Sequence, residues 1–124
     1  MIVDDDRDDH FFLKKALKVV IPAADVHSFY NGCELMDHLY TRSNQPSLIF
    51  LDLNMPKMDG RTTATLLKQD KLLSNIPLVI FTTSISLSDR LDLTNLGADD
   101  FYTKPVCSLE LIKIVERVNN KWLK

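Results

Sequence analysis

Cysteine is scarce in this chain: Cys33 and Cys107 are its only two, and their separation is not that of a metal site. A reduced, cytoplasmic protein with inert thiols is the expectation. There is no surplus of positive charge. Lys and Arg number 15 against 17 Asp and Glu, for a net charge of -2, so no general basic field exists to draw in nucleic acid. No apolar stretch approaches the length of a membrane span. No signal peptide is expected, because Met1-Ile2-Val3 runs straight into acids. Internal repeats and low-complexity tracts are also missing. What remains is a chain of 124 residues, 45% of them hydrophobic, which is expected to form one domain over 1–124 with a substantial core.

The apolar pattern switches repeatedly between strand and helix periods. Met1 to Val3 reads as a short strand. Phe12, Leu13, Ala16, Leu17 and Val20 recur at helical spacing and predict a helix over about 8–20, ended by Pro22. Asp6, Asp8 and Asp9 stand at its start, where carboxylates cap free N–H groups. Val26 to Tyr30 predicts a second strand closed by Asn31-Gly32, followed by a helix over roughly 32–42 and a polar loop from Arg42 to Pro46. Leu48 to Asp52 is almost wholly apolar, as a parallel strand covered on both faces must be. A helix over about 60–71, a strand from Pro77 to Thr82, and a helix from Ser86 to Leu96 capped by Gly97 follow. A short strand from Asp100 to Thr103 and a helix from Ser108 to Trp122 complete the chain.

Five strands alternating with five helices predict a doubly wound α/β fold: a parallel sheet with helices on both faces. In such sheets the functional crevice lies beyond the carboxyl ends of the strands. The polar groups collect there. Asp4, Asp5 and Asp6 follow the first strand, Asp52 the third, Thr82 and Thr83 end the fourth, and Lys104 follows the fifth. Carboxylates crowded together resist joint ionisation unless a cation sits among them. The pattern therefore suggests a hard divalent cation and phosphate-type chemistry on one of the acids.

Four motifs, Val3-Asp4-Asp5-Asp6, Leu51-Asp52-Leu53-Asn54-Met55-Pro56-Lys57-Met58-Asp59-Gly60, Thr82-Thr83 and Lys104-Pro105, occur in this order over essentially the whole chain. In them the sequence resembles the receiver domains of two-component response regulators, and in particular the single-domain, chemotaxis-regulator type. The resemblance implies a flavodoxin-like sheet of strand order 2-1-3-4-5. It implies Asp52 as the phosphoacceptor and Mg²⁺ held by Asp5, Asp52 and the Asn54 backbone carbonyl, with Asp4 acting through metal-bound water. It further implies Lys104 on the phosphoryl oxygens, Thr82 donating its hydroxyl to them, and Phe101 as an aromatic switch three residues before Lys104. Pro105 is expected to hold Lys104 through a cis bond. The domain would catalyse its own phosphorylation and dephosphorylation without being a conventional turnover enzyme. The implied partners are a sensor histidine kinase or histidine phosphotransfer protein and a downstream protein target. The implied output face is helix four, strand five and helix five, which is also a possible homodimer surface; no nucleic acid or membrane partner is implied.

Each residue also has a plainer reading. A lone strand-end acid such as Asp52 caps a loop, Asp6, Asp8 and Asp9 serve as helix caps, and Thr82 favours a strand by propensity. Phe101 packs in a core. Thr83 stands where the family usually has a smaller residue and would narrow access to Asp52. Asn54 and Ser84, two residues after Asp52 and Thr82, influence hydrolysis in the family. His10, His27 and His38 read as surface or edge residues. Leu109, Ile112, Ile114 and Trp122 exceed what one core face needs and suggest an exposed patch. Only three residues precede the first acids, so either the first strand is short or the chain has lost a few N-terminal residues. Two other functions compete: an inert receiver that serves as a binding scaffold, and a Mg²⁺-dependent phosphatase with an Asp nucleophile. Such phosphatases carry Asp-x-Asp, and Asn54 replaces the second acid here.

Overall fold

Residues whose side chains alternate between two cores make up every long strand, and this organises the computed structural model of the chain, which describes residues 1–41, 45–83 and 85–124. The elements run β1 (Ile2–Val3), α1 (Arg7–Val20), β2 (Ser28–Phe29), α2 (Gly32–Thr41), β3 (Ile49–Leu51), α3 (Gly60–Gln69), β4 (Leu78–Thr82), α4 (Leu87–Leu96), β5 (Asp100–Thr103) and α5 (Ser108–Val118). A π-helical turn, Asn119–Leu123, extends α5. The five strands form one parallel sheet in the order β2-β1-β3-β4-β5. This is the flavodoxin-like arrangement.

Val3, Ile49, Leu51, Leu78 and Ile80 pack on one face with Leu35 and Met36 of α2, Ala64 and Leu67 of α3, and Leu93 of α4. Ile2, Phe50, Val79 and Phe81 pack on the other with Leu13, Ala16 and Leu17 of α1 and Leu111, Ile114, Val115 and Val118 of α5. Neighbouring strand residues point to opposite faces, and here both faces are covered, so no position in β3 or β4 is left for a polar side chain until the strand ends. α4 is the least embedded helix: Leu93 is its only buried residue, while Leu87 and Leu91 face outward.

The sheet is shorter at its β2 side than expected. β1 offers two residues for pairing, Ile2 to Ser28 and Val3 to Phe29, so the ladder of β2 stops at those two. α5 keeps its α-helical hydrogen bonding to Val118, and Trp122 falls in the π-helical turn. The apolar surplus of α5 is mostly absorbed. Ile114 is buried, while Ile112 and Trp122 are half-buried against the α1–α5 core, which leaves Leu109 exposed. The Trp122 indole N–H donates to Asp100 Oδ2 at 3.2 Å, which ties the turn to β5. The expected loop from Arg42 lies in part outside the described residues, as does Ser84. Among the described residues no helix is long and apolar enough to cross a membrane.

Candidate functional site

The backbone ladder runs one residue beyond three of the strands, and this fixes the polar groups that follow them. The Asp4 N–H donates to the Phe29 carbonyl at 3.0 Å, the Asp52 N–H to Val3 at 2.9 Å and the Lys104 N–H to Thr82 at 2.8 Å. Asp4, Asp52, Thr82 and Lys104 are thus held in register at one edge of the sheet. The chain leaving Asp52 turns through Lys57, whose φ of 53° is left-handed, and returns so that the Gly60 N–H donates to the Leu53 carbonyl at 3.0 Å. Gly60 opens α3 flush against that strand end: a Cβ on it would collide with the Asp52 carbonyl oxygen and the Leu53 Cα. Asp59 caps the helix, accepting from the Thr62 N–H at 2.9 Å.

Asp52 and Asp4 are buried, and Asp5 is exposed at the rim. The Thr82 hydroxyl, itself fully buried, donates to Asp52 Oδ1 at 2.7 Å. The Lys104 ammonium stands 2.6 Å from Asp4 Oδ2, 2.6 Å from Asp9 Oδ2 and 3.6 Å from Asp52 Oδ2. The first two are short, charge-assisted hydrogen bonds; the third is a charge contact too long to be one. Burial pushes the Asp4 carboxyl up to about 6, although its bond from Lys104 pulls the other way. The Lys104 ammonium is held charged well above its ordinary range: burial works against the charge, and the Asp4 and Asp9 carboxylates outweigh it. Thr83 is exposed beside the site, and Asn54 is exposed on the loop after Asp52.

One carboxylate oxygen from each of Asp4, Asp5 and Asp52 lies within 4.8 Å of the others. Magnesium asks for oxygen ligands and keeps several waters, so this donor set fits it. Asp4 Oδ2 is already engaged by Lys104, and its Oδ1 accepts the Asp6 N–H at 3.0 Å. Both oxygens of Asp4 thus have hydrogen-bond or ion-pair partners within the chain, while Asp5 stands exposed at the rim. The structure thus brings together Asp4, Asp5, Asp52, Thr82 and Lys104 from four strand ends. Phe101 sits one layer away, half-buried against the α2–α4 core with the Arg90 guanidinium 5.3 Å from its ring centroid.

Three expectations are corrected here. Asp6 alone of the three acids accepts the α1 cap bonds, from the Asp8 and Asp9 N–H groups; Asp9 belongs to the site. His10 is buried, not at the surface. Its Nε2–H donates to the Asp4 carbonyl at 2.7 Å and its ring lies 4.6 Å from that of Tyr30, so it braces the backbone under the acids. No cis peptide bond occurs among the described residues, so Lys104–Pro105 is trans. The trans form is the default even before proline, and the bonds to Thr82, Asp4 and Asp9 hold Lys104 without a cis turn.

The family model described as response regulator receiver domain matches residues 1–116. The chain is 31% identical over 128 residues to response regulator Rcp1 of Synechocystis sp., covering 99% of this chain and 87% of that protein. It is 29% identical to part of the sensor histidine kinase CheAY of Helicobacter pylori, of which it spans 14%. The crystal structure of the phosphorylated cyanobacterial phytochrome response regulator RcpA superposes with a TM-score of 0.90 at 32% identity, covering 99% of this chain and 91% of that one. The Mn²⁺-bound form of Rcp1 superposes with a TM-score of 0.88 at 30% identity, covering 99% and 92%.

Proposed function

The chain belongs to the response regulator receiver domain family, and from that premise we propose that it is a phosphoacceptor switch in which Asp52 takes a phosphoryl group with Mg²⁺. Receiver domains of this family act in phosphorelay signalling, with histidine kinases on one side and downstream targets on the other. For this chain the proposed donor is a sensor histidine kinase or histidine phosphotransfer protein in the cytoplasm. The observation that carries the reading is the placement of one buried carboxylate, Asp52, among an ammonium, a hydroxyl and two further carboxylates.

Each residue has a role that its chemistry supports. Asp52 is the nucleophile: a carboxylate oxygen forms the new bond to phosphorus as the donor's bond to phosphorus breaks, giving an acyl phosphate. Asp5, Asp52 and the Asn54 carbonyl are the proposed metal ligands, and Asp4 acts through metal-bound water. The cation, when bound, neutralises charge on the transferring group. Lys104 supplies the second positive charge, and its reach to Asp52 at 3.6 Å is close enough to bond an oxygen placed on that carboxylate. Thr82 has its hydroxyl aimed at Asp52 already, so following a phosphoryl oxygen outward requires only a small shift. Phosphorylation adds about 1.5 to 2 negative charges and three acceptor oxygens. As Thr82 and Lys104 close on them, the start of α4 moves and Phe101 repacks beneath Arg90. The α4–β5–α5 face then changes partners or forms a homodimer. Leu87 and Leu91 of α4 and Leu109 of α5 are exposed, and apolar exposure on these two helices supports a contact surface there.

The test is intact-mass spectrometry after incubation with acetyl phosphate and Mg²⁺. One phosphoryl adduct per chain is expected, dependent on Mg²⁺ and missing in Asp52→Asn. An adduct that persists in Asp52→Asn, or none in the native chain, overturns the assignment.

A further inference from the structure

We propose that Asp9 is a positioning residue for Lys104 and a brake on phosphorylation: its carboxylate holds the ammonium that Asp52 needs, and it gives up that ammonium only when a phosphoryl group arrives. The proposal rests on the phosphoacceptor reading and goes beyond it. Asp9 is the third residue of α1, where an acid ordinarily turns back to cap its own helix. The capping bonds are made by Asp6 instead. Asp9 Oδ2 reaches out of the helix and takes a 2.6 Å bond from Lys104, which lies 95 residues away in sequence.

The ammonium has three N–H donors. Two are spent on Asp4 and Asp9 at 2.6 Å, and Asp52 is left with a 3.6 Å contact. A phosphoryl oxygen on Asp52 that is to receive a full hydrogen bond competes with those two acids. They do not compete equally. The Asp4 side chain is 5% exposed, and losing Lys104 would strand a buried charge. The Asp9 side chain is 34% exposed, so water can replace the ammonium there. Asp9 is therefore the bond that exchanges. Its charge also stands at the mouth of a site already crowded with acids, where it repels an incoming anionic donor.

An acyl phosphate such as acetyl phosphate is the donor to use. An Asp52 carboxylate oxygen forms the P–O bond, acetate leaves with the electron pair of the bond that breaks, and no proton is taken up or released. Initial rates of adduct formation by acid-quenched intact mass, at limiting acetyl phosphate and saturating Mg²⁺, are compared for the native chain, Asp9→Asn, Asp9→Ser and Asp9→Glu. Both neutral variants should react faster, by roughly three- to tenfold for the loss of one charge at this range. The gain should shrink as salt is raised. Asp9→Glu restores the carboxylate and should return to the native rate, which a merely structural role for Asp9 would not require. An adduct in the native chain with equal or slower reaction in both neutral variants, at native circular dichroism, overturns the role of Asp9 alone. No adduct in any of the four overturns the phosphoacceptor reading with it.

Discussion

Lys104 carries the heaviest electrostatic burden of any residue at the site. Its ammonium is the counter-charge to Asp4, Asp9 and Asp52 at once, and its side chain is 12% exposed. Replacing it by Met leaves the volume nearly filled and the acids uncompensated. For a buried pair broken on one side the loss is about 3 kcal/mol, which urea denaturation at pH 8 should register. The loss depends on pH in a direction that Asp4 sets. Burial already raises the folded pKa of Asp4 to about 6, above its ordinary 3.8, and Lys104 restrains that rise. Without Lys104 it climbs further, so stability falls as pH rises through the higher folded value. The gap between native and Lys104→Met should be small near pH 4 and widen toward pH 8. A gap that stays constant with pH would sink this account. Asp52 and Thr82 were legible in the sequence because each stands where an apolar strand run ends, and Lys104 because it stands between a short strand and Pro105. Asp9 was not, since its partner is chosen by how a lysine side chain lies across the sheet edge, and the pattern of α1 alone makes it one more helix-starting acid.

At the scale of elements, the alternation of periods gave the order and type of all ten, and the continuous apolar runs of β3 and β4 gave their burial on both faces. The short β2 was not readable from Val26 to Tyr30, because strand length depends on what the neighbouring strand offers and β1 offers two residues. The turn into α3 shows the same dependence on a neighbour. Gly60 looks like an ordinary turn residue in sequence, yet it is required because α3 begins in contact with the Asp52–Leu53 backbone. That backbone cannot yield as a flexible side chain would. Gly60→Ala should therefore destabilise the chain by about 2 kcal/mol, within the range for overpacking, even though alanine is the better helix former. It should also slow phosphorylation by displacing the Asp52 strand end. A denaturation midpoint equal to the native one would refute the close approach. Gly97 answers a different demand: it ends α4 at a φ of 108°, where a side chain is strained and open space does not help.

For the molecule as a whole, the fold gathers acids from two strand ends into one spot, and this opposes folding unless charge is supplied. Asp4, Asp5 and Asp52 each bring an oxygen to within 4.8 Å of the others, and one ammonium offsets them in part. The unfolded chain has no such cluster. A divalent cation bound only by the folded state must then raise global stability by RT ln(1 + [Mg²⁺]/Kd), which at ten times Kd is about 1.4 kcal/mol. For a domain of this length that corresponds to a rise of roughly 3–6 °C in Tm. Thermal unfolding at increasing MgCl₂, against a NaCl control of matched ionic strength, should show this rise in the native chain. Asp5→Asn should lose most of it, because Asp5 is the exposed carboxylate of the three and, among the described residues, no ammonium or guanidinium pairs with it. Asp52→Asn should start from a higher Tm without Mg²⁺, since one of the crowded charges is gone, and gain less when Mg²⁺ is added. The two variants thus separate repulsion from ligation: repulsion appears in the metal-free Tm and ligation in the slope with Mg²⁺. A slope equal in native and Asp5→Asn would mean that the cation acts on surface charge at large, and the carboxylate site would have to be given up.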